Sequence, residues 1–294
     1  MATSPVYRRR PSIVAVLAVL SLCAGCKTSQ PSDVLDVLSA EEMSRAVLPS
    51  NHRNWEPAQA VLPYAELNGN QLTIHNIRNC EYLSKDDYIV RHYDKTLNLN
   101  NLQSVDFIVV PFKDTPSLAH TMLSFGFANE DYLAVSVEVR REVGETYSPI
   151  KGALRQYELA YIVADERDVI ALRTQYRDDD VYLYRTRATP EQAQTLLLDV
   201  MARVNKLATQ PEFYDTFSNN CTTNIVAHIN RIKPGRIPVN IGVLLPGYAD
   251  RLAYDLGLLD TNVSFEQTKR QAHINRVASR SIDDVDFSRK IRQR

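Results

Sequence analysis

The chain has 294 residues, is 44% hydrophobic, and carries 34 Lys+Arg against 35 Asp+Glu, a formal net charge of −1. That balance, with both signs interspersed, excludes the basic footprint of a nucleic-acid-binding protein. With 9 Gly and 14 Pro it is not a low-complexity chain, and it can bury one large core or two small ones.

Taken in chain order, Arg8–Arg10 precede an apolar run from Ile13 to Leu22, which ends in Cys23-Ala24-Gly25-Cys26. A basic start, a short apolar run and small residues before a cleavage point describe a secretory signal peptide over residues 1–25. The run is well short of the ~20 apolar residues that span a bilayer. Ala24-Gly25-Cys26 resembles the lipobox of bacterial lipoproteins, which implies lipidation of Cys26 as the first mature residue. The expected location is the bacterial cell envelope, lipid-anchored and facing the periplasm. With Lys27 and no Asp after the anchor, the outer membrane is favoured.

Of the 4 Cys, this leaves Cys80 and Cys221 in the mature chain. In an exported protein they can form one bridge. Unbridged, Cys221 has the setting of a reactive thiol.

Residues 26–50 read as a tether with a short amphipathic helix around Val34, Leu35, Val37 and Leu38. Strands are predicted over 71–77 and, as a buried run, over 102–112. Residues 119–127 alternate, with Thr121, Leu123, Phe125 and Phe127 on one face and His120, Met122 and Ser124 on the other. A turn at 129–131 leads into 132–140, where Leu133, Val135, Val137 and Val139 face the core and Ser136, Glu138 and Arg140 the opposite, polar side. Folded as a hairpin, this places His120 across from Glu138 or Arg140.

Further strands are predicted over 157–164, 169–176 and 181–186, with polar turns between them. The turn Asp178–Asp180 lacks the spacing of a calcium loop. Thr189-Pro190 with Gln192 opens a helix through a capping box, its apolar stripe running from Ala193 to Leu207. A second helix starts at Cys221 behind Asn219-Asn220 and runs to Ile232, and a third covers roughly 249–256. From Thr268 the mixed-charge tail is expected to be a loose helix with a frayed end.

A thiol at a helix N-terminus meets unpaired N–H groups and the positive end of the dipole, which favours the thiolate. Covalent acyl chemistry then needs a base and oxyanion donors. The backbone N–H of Cys221 is a natural donor, with Asn220 and Thr222 as flanking oxyanion or positioning candidates. Among the 6 His, His120 has a rigid strand and a carboxylate opposite it. His228 lies two turns along the Cys221 helix and is too distant to reach the thiol. His52 and His273 fall in segments expected to be poorly ordered. His75 and His92 stay open, and Arg78, Arg140 and Arg155 are candidate substrate contacts. The histidines show no short-spaced zinc pairing, so no metal and no cofactor is expected.

A helix-borne cysteine that follows a strand-borne histidine resembles circularly permuted papain-like enzymes, such as the NlpC-type permuted hydrolases and the lecithin–retinol acyltransferase group. Residues from about Trp55 to Leu259 more closely resemble the Lnb N-terminal periplasmic domain family. The resemblance is carried by His75–Asn79, Ala119–Phe125, Val135–Arg140, Arg155–Glu158, Asn219–Thr223 and Leu245–Gly247. It implies an α+β, permuted papain-like domain over 51–262, its antiparallel sheet packed against the nucleophile-bearing helix, followed by a charged tail over 263–294. By resemblance Cys221 takes an acyl group as a thioester, His120 is general base and then acid, and Glu138 orients it. The implied partners are a lipid or lipoprotein substrate and, through Cys26, a membrane. The alternatives are a Cys–His amidase or peptidase on cell-wall peptides, or a non-catalytic envelope lipoprotein.

Overall fold

The computed structural model describes residues 48–238 and 240–293, so the signal peptide, Cys26 and the amphipathic helix expected near residue 35 lie outside the described residues. Runs rich in β-branched and aromatic residues form the strands. They are β1 (Tyr64–Asn68), β2 (Gln71–Arg78), β3 (Glu81–Tyr82), β4 (Tyr88–Ile89), β5 (His92–Asn98), β6 (Leu102–Phe112), β7 (Thr115–Phe127), β8 (Tyr132–Arg140), β9 (Glu158–Asp165) and β10 (Tyr182–Arg185). The helices are α1 (Pro57–Ala60), α2 (Pro149–Ala153), α3 (Glu166–Ala171), α4 (Pro190–Thr209), α5 (Cys221–Ile232), α6 (Ile241–Leu244), α7 (Ala249–Asp255), α8 (Phe265–Ala272), α9 (Asn275–Arg280) and α10 (Phe287–Lys290). The fold is mixed α+β.

The main sheet runs β1-β2-β9-β8-β7-β6-β10, with β5 also paired to β2. Its pairings are antiparallel except for β2 with β9, which meet in parallel at Arg78 and Ala164. The predicted hairpin forms with Met122 opposite Ser136 and Gly126 opposite Tyr132. The capping boxes at Thr189/Gln192 and Asn220/Thr223 start α4 and α5 as the sequence implies for the first of them. Replacing such a cap typically costs ~1 kcal/mol.

Both faces of the sheet are buried. On one, Thr121-side residues such as Leu123 and Phe125 pack with Leu197 and Val200 of α4, Ile225 of α5 and Ala253 of α7. On the other, Ile108, Met122, Ala134 and Ile162 pack with Ile170, Ala278, Phe287 and Ile291. Each fully buried aliphatic or Phe side chain contributes roughly 1.5–3 kcal/mol.

This second core corrects two expectations. Residues 169–176 are not a strand. Asp165 accepts a hydrogen bond from Arg167 N and starts α3, which continues through a π-helical turn, Leu172–Tyr176. The acidic residues read as a turn are a capped first helical turn. Nor does the tail fray: α10 docks with Phe287 at 1% exposure, and Arg292 bonds Asp106 at 2.7 Å and Glu166 at 2.8 Å. The face of β7 and β8 read as polar is therefore covered.

Candidate active site

Asn220 caps α5 with its side-chain oxygen on Thr223 N at 2.9 Å, which puts Cys221 at the first helical position. That N–H has no intrahelical acceptor. The thiol is buried, and Sγ lies 3.8 Å from the Ala119 carbonyl, the residue next to His120 in β7. Cys80 and Cys221 are both free thiols. Cys80 sits with Tyr82 and Leu172, where burial followed by the charge of Asp168 pushes its pKa up to about 11.

Strand parity sends Ala119 and His120 to opposite faces, so α5 lies over the face that His120 does not share. Cys221 and His120 nevertheless border one cavity, at the end of β7 where the β7–β8 pairing has stopped at Met122–Ser136, before it reaches His120. Beyond that point a cavity of about 400 Å³ opens, walled by Ala119 and His120 of β7, Val137 and Glu138 of β8, and Cys221 with Tyr214. Gly247, in the turn before α7, seats this end of β7. A Cβ there would collide with the backbone of Pro116 and Ser117.

His120 is oriented by a serine. Its Nε2 lies 2.7 Å from Ser136 Oγ, and Ser136 donates to Glu138 Oε1 at 2.8 Å. Glu138 Oε2 accepts from Gln59 Nε2 at 3.0 Å, and Arg173 Nη2 stands 3.6 Å from Oε1. Since Ser136 gives its proton to the carboxylate, its oxygen accepts from His120, which fixes the Nε2–H tautomer. Nδ1 is then the basic nitrogen. Burial, then Arg173, pushes the His120 pKa down to about 3, against the opposing pull of Glu138. Burial alone would raise Glu138, but Arg78, Arg173 and His120 outweigh it and hold the carboxyl well below the usual carboxylate range. The site is a neutral imidazole wired to an ionised carboxylate.

The other sequence candidates are engaged by other groups or lie outside the cavity. Asn220 lines the cavity, but its amide donates to Thr216 O at 2.6 Å, so it caps rather than offers an oxyanion donor. Thr222 bonds Thr121 at 3.0 Å and faces a second cavity. Arg78 lines the site yet is bound to Asp168 at 2.8 Å. Arg140 is buried under Trp55, its guanidinium 4.3 Å from the ring and bonded to Ala60 O at 2.7 Å, away from the cavity. Arg155 pairs with Asp215 at 2.9 Å, also outside it.

Among the remaining histidines, His75 pairs with Asp94 at 2.7 Å and His273 with Asp180 at 2.9 Å. His228 is buried between Tyr161 and Asp199. Among the described residues no group of three or more His, Cys, Asp or Glu could hold a metal ion. Sequence reasoning passed over Ser136, although parity had put it on the Glu138 face. It also missed Arg173, because a strand reading of 169–176 carries no hint of the helical turn that presents it.

The family model for the Lnb N-terminal periplasmic domain matches residues 90–247, a span that contains β7, β8 and the start of α5. Comparison with curated proteins and with solved structures gave no match.

Proposed function

The chain belongs to the Lnb N-terminal periplasmic domain family, and from that footing we propose that it is a membrane-anchored thiol acyltransferase that forms an acyl-thioester on Cys221. One observation carries the reading: Cys221 and an oriented, neutral His120 open onto the same cavity.

In this reading Sγ attacks the acyl carbonyl while His120 Nδ1 takes the thiol proton, and the Cys221 N–H receives the developing oxyanion. His120 then returns the proton to the departing alkoxide, which leaves as an alcohol and closes the thioester. An amine attacks next, giving its proton to His120. Collapse expels the thiolate, which takes that proton back. Glu138 acts on the imidazole through Ser136 and stabilises the transient imidazolium. The chain order, strand histidine before helix cysteine, supports the permuted papain-like reading of the domain.

A lipid rather than a cell-wall substrate is favoured by the cavity's surroundings. Ile150 is 73% exposed and Phe217 64%, on α2 and the loop before α5, and Thr216 of that loop bonds Pro149 O at 2.9 Å. Exposed apolar groups beside a catalytic cleft suit a lipid surface. Among the described residues no helix is long and apolar enough to cross a membrane. In this account Cys26 carries the lipid anchor, and labelled palmitate incorporation should disappear in Cys26→Ser. Transfer and hydrolysis separate when protein is given labelled phospholipid with or without an amine-terminated lipopeptide, and purified sacculi in parallel. Labelled lipopeptide supports the transferase. New amine termini from sacculi, with no lipopeptide labelling, would make the enzyme an amidase.

A further inference from the structure

A second cavity, of about 290 Å³, lies farther along α5, lined by Thr222, Ile225 and Ile229 but not by Cys221. Leu123 of β7, Ile225 and Ile229 of α5, and Ala253 of α7 are among its walls. Its two threonine hydroxyls are already engaged: Thr222 with Thr121 at 3.0 Å, and Thr186 with Val105 O at 2.7 Å. A polar ligand would find few partners inside, whereas apolar cavities of this kind take apolar occupants.

The rim is different. Arg187, Lys233 and Arg236 line it, and among the described residues no Asp or Glu does. Arg187 and Arg236 donate to the carbonyls of Thr261 and Leu256, at 2.7 and 2.8 Å, neutral acceptors that leave the cationic charge at the rim. Arg187 also pairs loosely with Asp260 at 3.9 Å, whereas among the described residues Lys233 and Arg236 have no carboxylate within ion-pair distance.

We propose that this cavity binds a single apolar chain carrying an anionic head, such as a fatty-acid carboxylate or a lipid phosphate. The chain lies between α5 and α7 and the head meets Arg187, Lys233 and Arg236. An unbranched chain suits walls that are mainly aliphatic, and fixed cations at the rim suit an oxyanion. The site stands whether or not Cys221 performs chemistry, because none of its walls is a group assigned to the reaction.

The test uses full-length Cys221→Ala protein in membranes, so that thioester formation cannot contribute, with a diazirine-bearing palmitate as probe. Crosslinks should map to peptides containing Ile229 and Ala253. They should be competed by palmitate and by lysophosphatidic acid, but weakly by hexadecanol. Charge reversal of the exposed pair, Arg187→Glu with Lys233→Glu, leaves the core intact and should weaken palmitate competition by at least about fivefold. Preferential competition by lysophosphatidic acid would identify the head as a lipid phosphate rather than a carboxylate. Crosslinks spread over the surface, or competed equally by hexadecanol, overturn the proposal.

Discussion

The imidazole of His120 and the hydroxyl of Ser136 stand 2.7 Å apart, and the Ser136 O–H donates in turn to Glu138 at 2.8 Å. A carboxylate and a histidine that sequence alone pairs directly are thus joined through an intervening serine. Ser136→Ala should leave the fold in place, because the side chain is small, but free the ring to rotate. The rate of acyl-enzyme formation should fall about tenfold to a hundredfold, with KM little changed. Single-turnover kinetics with a labelled acyl donor checks this. A KM effect without a rate effect would contradict it.

The depressed His120 pKa, about 3 through burial and Arg173, also sets a stability profile. An unfolded imidazole titrates near about 6.5. Between those values the unfolded chain binds a proton that the folded chain refuses. Stability is therefore full above about pH 6.5 and falls as pH drops toward 3. Glu138, held below the usual carboxylate range, adds to the loss at the acid end. Urea unfolding from pH 7 to 4 should show a declining free energy, with a shallower slope in His120→Gln. Equal slopes in the two proteins would refute the assignment.

The C-terminal lock is a third point of test. Arg292 sits 3.6 Å over the Tyr132 ring and holds Asp106 and Glu166, which are 1% and 0% exposed. Arg292→Met strands buried Glu166 without a cation and leaves Asp106 with Arg185 alone, at 2.9 Å, and should cost roughly 3–5 kcal/mol in urea unfolding. Adding Asp106→Asn and Glu166→Gln should recover part of that loss. A near-neutral effect of Arg292→Met would mean that the tail is not docked in solution.

The apolar groups beside the site predict surface behaviour. In a Cys26→Ser background, where no anchor masks the effect, Phe217→Asp should lower partitioning onto phospholipid vesicles about tenfold. Flotation measures this directly. Unchanged flotation would remove the lipid-facing argument while leaving the Cys–His reading intact.

Much of the architecture was legible from sequence because its signals are local. The 102–112 and 132–140 strands, the Thr189 capping box and the start of α5 at Cys221 each depend on neighbouring residues alone. The parity of β7 and β8 correctly put His120, Ser136 and Glu138 on one side. What failed was long-range. Residues 169–176 alternate well enough to read as strand, yet the Asp165 cap and packing on β8 and β9 make them helical. The charged tail looked frayed because its anchors, Asp106 and Glu166, lie far back in the chain. Arg140 and Arg155 looked like substrate contacts for the same reason: their partners, Trp55 and Asp215, are visible only in three dimensions.

The central claim is that Cys221 becomes acylated. Intact-mass spectrometry after incubation with a defined phospholipid should show one added acyl group, mapped to the Cys221 peptide and removed by neutral hydroxylamine. The adduct should be absent in Cys221→Ala and strongly reduced in His120→Gln. An unmodified wild-type protein across a panel of phospholipids, or an adduct that persists in Cys221→Ala, would contradict the account.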